Sequence, residues 1–123
     1  MKSILALVAL SIFSFSVLAQ PIPDSVVTKE NCNNLAGSSS YMNNVYKACG
    51  IGGYVFMKDY SEELRPQCHV KFGDDEMNVS EAKGLDFAKF MTRPDNLQKL
   101  CDPIRANMKK ILGDVEFEKI QTN

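Results

Sequence analysis

The sequence predicts a mainly helical single domain with a small β component (α+β), built from about four helices and stapled by two disulfides. Three observations carry that expectation. Four cysteines lie in a chain of 123 residues, behind an apolar start of the kind that precedes exported proteins. A stretch near the C-terminus keeps an apolar stripe at helical spacing over several turns. Short runs of β-branched and aromatic residues sit between glycines, prolines and acidic turns.

Residues 1–19, MKSILALVALSIFSFSVLA, place Lys2 before an apolar run from Ile4 to Leu18 that ends on small residues. This is the order of a secretory signal peptide, so cleavage is expected after Ala19, leaving a single secreted domain over 20–123. The run is short for a bilayer span, which takes roughly twenty apolar residues. No basic stop-transfer cluster follows it. The mature chain is therefore expected to be secreted or periplasmic, without a membrane span. Cys32, Cys49, Cys68 and Cys101 read as a disulfide framework. The gaps of 16, 18 and 32 residues between them lack the close ligand pairs of a zinc site.

The elements follow in order. Pro23-Asp24-Ser25 offers a turn and an N-cap for a helix over 25–35. Gly37 reads as its end and Ser38-Ser39-Ser40 as the cap of a second helix over 40–49. That second helix carries Tyr41, Val45, Ala48 and Cys49 on one face. An antiparallel pair of this kind brings Cys32 to Cys49, so Cys32–Cys49 and Cys68–Cys101 are the expected bonds.

Tyr54–Met57 and His69–Phe72 read as the strands of a hairpin across the polar KDYSEELRPQ. A helix continued through 53–64, with Tyr54, Met57, Tyr60 and Leu64 near one face, is the competing reading. Gly73-Asp74-Asp75-Glu76 reads as a turn, and Ser80 as the N-cap of a helix from Glu81 to Met91 that stops before Pro94. Phe87, Phe90 and Met91 share a face of that helix. Asp95 with Gln98 gives a capping-box signal. Leu97, Leu100, Cys101, Ile104, Met108, Ile111 and Leu112 then form one stripe that keeps its phase across Pro103, which either kinks the helix or restarts it. Val115-Glu116-Phe117-Glu118 alternates as a half-buried strand should.

Little in the chain points to catalysis. His69 is the single histidine, and Cys68 beside it is expected to be oxidised. No nucleophile elbow is present, and Gly50-Ile51-Gly52-Gly53 lacks the spacing and the preceding strand of a dinucleotide loop. The carboxylates of GDDEMN lack the alternating ligand positions of a calcium loop. No metal, cofactor or catalytic residue is therefore assigned. Without the leader, thirteen basic residues face fifteen acidic ones, which gives no footprint for nucleic acid.

The aromatics Tyr41, Tyr46, Tyr54, Phe56, Tyr60, Phe87 and Phe90 serve a core, a pocket or an interface. Gly52 and Gly53 allow a sharp exit into the Tyr54 run. Gly52, Gly53, Tyr54 and Tyr60 are thus the expected partner contacts.

The stretch Cys49-Gly50-Ile51-Gly52-Gly53-Tyr54-Val55, and the capped helix from Val79 to Pro94, resemble features of exported immunity proteins that protect bacteria from cell-wall amidases delivered by type VI secretion. The chain departs from that family in the spacing after Cys49, in the early position of Cys101 and in the extension VEFEKIQTN. The resemblance implies a non-enzymatic inhibitor that plugs a partner enzyme, and it carries over no contact residue. The expected function is a non-catalytic exported binding protein acting on a protein partner, as an inhibitor or immunity factor. The alternative is a carrier of a small apolar ligand in an aromatic-lined cavity.

Overall fold

The computed structural model describes residues 22–122, so the expected signal peptide over 1–19 lies outside the described residues. Helix α1, Lys29–Ala48, opens at Thr28, whose Oγ1 accepts from the Asn31 amide at 3.1 Å. A π-turn over Tyr60–Leu64 runs directly into α2, Arg65–Phe72. Helices α3, Asp74–Met91, α4, Leu97–Leu112, and α5, Asp114–Ile120, complete the order. Gly73 and Gly113, at φ 90° and 83°, make the breaks before α3 and α5, a conformation that costs glycine no Cβ clash.

The expected hairpin of two short helices is one continuous helix, and Pro23–Ser25 forms only the turn that leads into it. Gly37 does not end a helix because it sits where α3 crosses α1. The methyl of an alanine at position 84 would run into the Gly37 carbonyl oxygen and stand 3.0 Å from the Tyr41 amide nitrogen. Residue 84 must therefore be glycine for the two backbones to approach this closely. The serines expected as caps line the same seam. Ser40 Oγ donates to the Glu81 carbonyl at 2.7 Å, and Ser80 Oγ, inside α3 rather than capping it, donates to Asn33 Oδ1 at 2.8 Å.

Continuity of α1 also overturns the expected disulfide pairing. Cys32 and Cys49 lie at opposite ends of the helix, about 25 Å apart at 1.5 Å per residue, far beyond the ~7 Å reach of a disulfide. The bonds are Cys32–Cys68, with Cα atoms 5.7 Å apart, and Cys49–Cys101, at 5.2 Å. Each staples one end of α1 to a different element, α2 or α4. Each also lies within its own core. Val27, Ala36, Tyr60, Leu64 and Met77 surround the first. Val45, Tyr46, Ile51, Ala88, Met108 and Phe117 surround the second.

The β component is absent among the described residues, and the fold is helical rather than α+β. His69–Phe72 is the last turn of α2, and 115–118 lies in α5, where Phe117 and Ile120 face the core at i and i+3. Tyr54–Phe56 is irregular loop. Its β-like polar needs are met by a side chain: Asn43 Oδ1 accepts from the Phe56 amide at 2.7 Å, and Asn43 Nδ2 donates to the Phe56 carbonyl at 3.3 Å. The helical alternative for 53–64 holds only for its second half. Pro66 accounts for the π-turn, since its ring crowds the carbonyl one turn back and the Arg65 amide bonds instead to the Tyr60 carbonyl, five residues earlier.

The α4 stripe forms as its periodicity predicts except at Ile111, which is exposed, and Pro103 sits inside the helix without dividing it. No capping box closes its start, where Asn96 Nδ2 bonds back to the Met91 carbonyl at 2.7 Å. No helix of the described residues is long and apolar enough to cross a membrane.

Candidate functional site

Of the four expected partner contacts, Tyr54 and Tyr60 line one open pocket of about 420 Å³ with Met57 and Lys58. Gly52 and Gly53 lie under the C-terminal stretch. The Gly53 amide donates to the Ile120 carbonyl at 3.0 Å, the Gly52 amide donates to Thr122 Oγ1 at 3.0 Å, and the Thr122 amide donates to the Gly50 carbonyl at 2.7 Å. A Cβ on Gly53 would stand 2.8 Å from Ile120 Cα, so that glycine serves the close approach of the tail. Arg105 fastens the same corner, donating to the Cys49 carbonyl at 2.8 Å while its guanidinium lies over the Phe117 ring. Tyr54 is half-buried, edge-on to Tyr46 at 5.6 Å. Tyr60 is buried in the other core.

His69 meets more polar company than its sequence neighbours announced. Its Nδ1 lies 2.8 Å from Asp74 Oδ1 and its Nε2 lies 3.4 Å from Glu81 Oε1. Arg65 grips the same Glu81 carboxylate through Nε at 2.7 Å and Nη2 at 3.3 Å. A histidine beside carboxylates is the arrangement of a general base, but a base needs a free ring nitrogen. Here both nitrogens face carboxylate oxygens, and Cys68 is consumed by its disulfide. The cluster works as a clamp of α2 on α3. The acidic stretch expected as a solvated turn begins α3, where carboxylates suit the helix dipole. Glu76 from it pairs with Lys29 at 3.2 Å.

Burial pushes the Glu81 carboxyl up, and hydrogen bonds from Arg65 and His69 outweigh it, so the group ends below its ordinary value near 4.5. A depressed carboxyl stabilises the fold above its unfolded pKa, and the contribution is lost as pH falls through the folded value. The variant Glu81→Gln is therefore expected to lose on the order of 1 kcal/mol at pH 7, because Arg65 and Asp74 remain partly hydrated. The deficit should shrink as pH falls below the ordinary carboxylate value and through the lowered native one, where the native carboxyl is itself protonated. Urea denaturation over an acid pH series measures it.

On the opposite side of the seam, α1 and α3 enclose an open groove of about 550 Å³ floored by Gly37 and Gly84. Tyr41 and Phe87 form its aromatic end, with ring centroids 5.0 Å apart. Phe87 stacks on Phe90 at 6.5 Å, and the Arg93 guanidinium covers Phe90 at 4.2 Å. Phe87 and Phe90 are each 53% exposed. Their shared face does not enter the core, because α3 buries a narrower stripe of Met77, Gly84 and Ala88. The aromatics thus divide three ways. Tyr46, Tyr54 and Phe56 join one core, Tyr60 joins the other, Phe87 and Phe90 line the outside, and Tyr41 bridges, packed against the first core and against Phe87.

Comparison with protein-family models, with curated proteins and with solved structures found no match. Sequence reasoning found the Phe87–Phe90 face but not its exposure. It missed the Arg65–His69–Glu81 clamp, whose available signal was the i, i+4 spacing of Arg65 and His69 on a helix.

Proposed function

We propose that this chain is a non-catalytic exported binding protein that docks a protein partner on the aromatic face of α1 and α3, as an inhibitor or immunity factor. The observation that carries the reading is the half-exposed stack of Phe87 and Phe90 beside Tyr41, capped by Arg93. Aromatic and arginine side chains dominate binding energy at protein interfaces, and clustered exposed rings on a small domain are uncommon without a partner. Both disulfides anchor α1, and the close crossing at Gly84 holds α3 against it, which limits the ordering cost of association. The same bonds fit an oxidising compartment, periplasmic or extracellular. The division of the aromatics between two cores and the surface favours this reading over the carrier of an apolar ligand.

The test is affinity capture by the mature oxidised protein from its native compartment, analysed for proteins and lipids, alongside the Phe87→Ala/Phe90→Ala and Tyr54→Ala variants. A single protein is expected on the native bait, reduced at least tenfold on the double variant. Because the two rings are half-exposed, that variant should keep its fold. Recovery of lipid alone would remove the inhibitor reading. Loss of the partner on the Tyr54 variant only would move the docking face to the glycine loop.

A further inference from the structure

A second, smaller recess opens on the other side of the α1–α3 seam. It measures about 170 Å³ and is lined by Ser39 and Ser40 of α1, Tyr60, Ser61 and Arg65 of the π-turn region, and Glu81 of α3. Two features set it apart from an ordinary surface dimple. Tyr60 is 95% buried, at 5% exposure, and its hydroxyl is the one buried side-chain polar atom among the described residues without a hydrogen-bond partner. Ser39 is the one buried polar residue among them, and it faces the same space. Leaving a buried hydroxyl unpaired is costly, so native folds satisfy such groups. Tyr60 also begins the π-turn, a distortion that recurs at functional sites.

The lining determines what would fit. Ser39 Oγ accepts from Asn43 Nδ2 at 3.2 Å, which leaves its own proton to donate. Burial and the nearby Glu81 push the Tyr60 phenol up, so it keeps its proton at neutral pH. Ser40 spends its proton on the Glu81 carbonyl and keeps its lone pairs. Across the recess, Arg65 and Glu81 cancel each other's charge. The walls therefore offer hydroxyl donors from α1 and the π-turn, acceptors from Ser40 and the Glu81 carboxylate, and no net charge.

We infer that this recess is a binding site for a small primary amide, whose carbonyl accepts from Tyr60 and Ser39 and whose NH₂ donates toward Glu81. A carboxylate of the same shape lacks the donors and brings a like charge to Glu81. The volume equals roughly six waters at about 30 Å³ each, which admits a head group of four heavy atoms with room for a stem. The amide comes from a free small molecule or from an Asn or Gln side chain of a partner. The inference does not depend on the aromatic docking face.

The experiment is a titration of the isotope-labelled mature oxidised protein with acetamide, acetate and a blocked glutamine peptide, followed by amide chemical shifts. Acetamide should give saturable shifts centred on Ser39, Ser61 and Glu81, in the millimolar range that a four-atom ligand permits. Acetate should bind at least fivefold more weakly. Tyr60→Phe should weaken acetamide at least fivefold, and Ser39→Ala, which removes the second donor to the carbonyl, supplies a second variant should Tyr60→Phe fold poorly. Acetamide should also raise the melting temperature of the native protein and leave that of Tyr60→Phe unchanged. Tighter binding of the glutamine peptide than of acetamide assigns the amide to a partner side chain, and weaker binding assigns it to a free molecule. Shifts that rise linearly without saturation, equal binding of acetate, or indifference to both variants would overturn the site.

Discussion

Replacing Cys49 and Cys101 together by alanine should lower stability by about 4 kcal/mol, the chain-entropy value for a loop of 52 residues. For a domain of this size that corresponds to a fall in melting temperature of roughly 15–30 °C. The loss should be uneven. This bond joins the C-cap of α1 to α4 within the core of Val45, Ile51, Met108 and Phe117, whereas the Cys32–Cys68 bond lies in the other core. Hydrogen exchange should therefore show protection lost first over 97–122, with the Val27–Met77 core holding longer. Uniform loss across the chain, or a cost below about 1 kcal/mol, would contradict the two-core description. Non-reducing peptide mapping checks the pairing directly, since a Cys32–Cys49 peptide is incompatible with one straight α1.

The second large effect is an asymmetry between two glycines. Gly84→Ala should destabilise by about 2 kcal/mol. Overpacking against backbone costs up to about 3 kcal/mol, and alanine's better helix propensity returns about 1 kcal/mol. The atoms it meets, the Gly37 carbonyl and the Tyr41 amide, belong to a helix backbone and cannot move singly. At Gly37 an added Cβ stands 3.6 Å from the Ser80 carbonyl oxygen, an ordinary contact. Gly37→Ala should therefore be neutral or stabilising by up to about 1 kcal/mol. Denaturant midpoints of the two variants settle the matter, and equal effects would mean that the seam is not closed at Gly84.

What the sequence made legible was whatever a single element decides. The stripe from Leu97 to Leu112 folds as its spacing requires, because six apolar residues packed on the core outweigh one proline, and only Ile111 falls outside. Gly37 was misread because the helix that packs on its carbonyl does so through Gly84, 47 positions later in the chain. That one misreading cut α1 in two and carried the disulfide pairing with it. The short runs at 69–72 and 115–118 have strand-like composition but no partner strand, and helical neighbours override so weak a preference. The site was legible in part. Phe87 and Phe90 share a face in any helical reading, while their exposure depends on how narrow a stripe α3 buries. The burial of Tyr60 required the π-turn, which the sequence marks only through Pro66.

The glycine crossing separates two selective pressures on the same pair of helices. Positions that set the distance between α1 and α3, Gly84 above all, admit almost no substitution. Phe87 and Phe90 stand beside the crossing and contribute little to closing it. Side chains there can change size, charge or hydrogen-bonding character while the scaffold beneath them stays put. A lineage under pressure to follow a changing partner could rewrite its recognition code at those positions without passing through an unfolded ancestor.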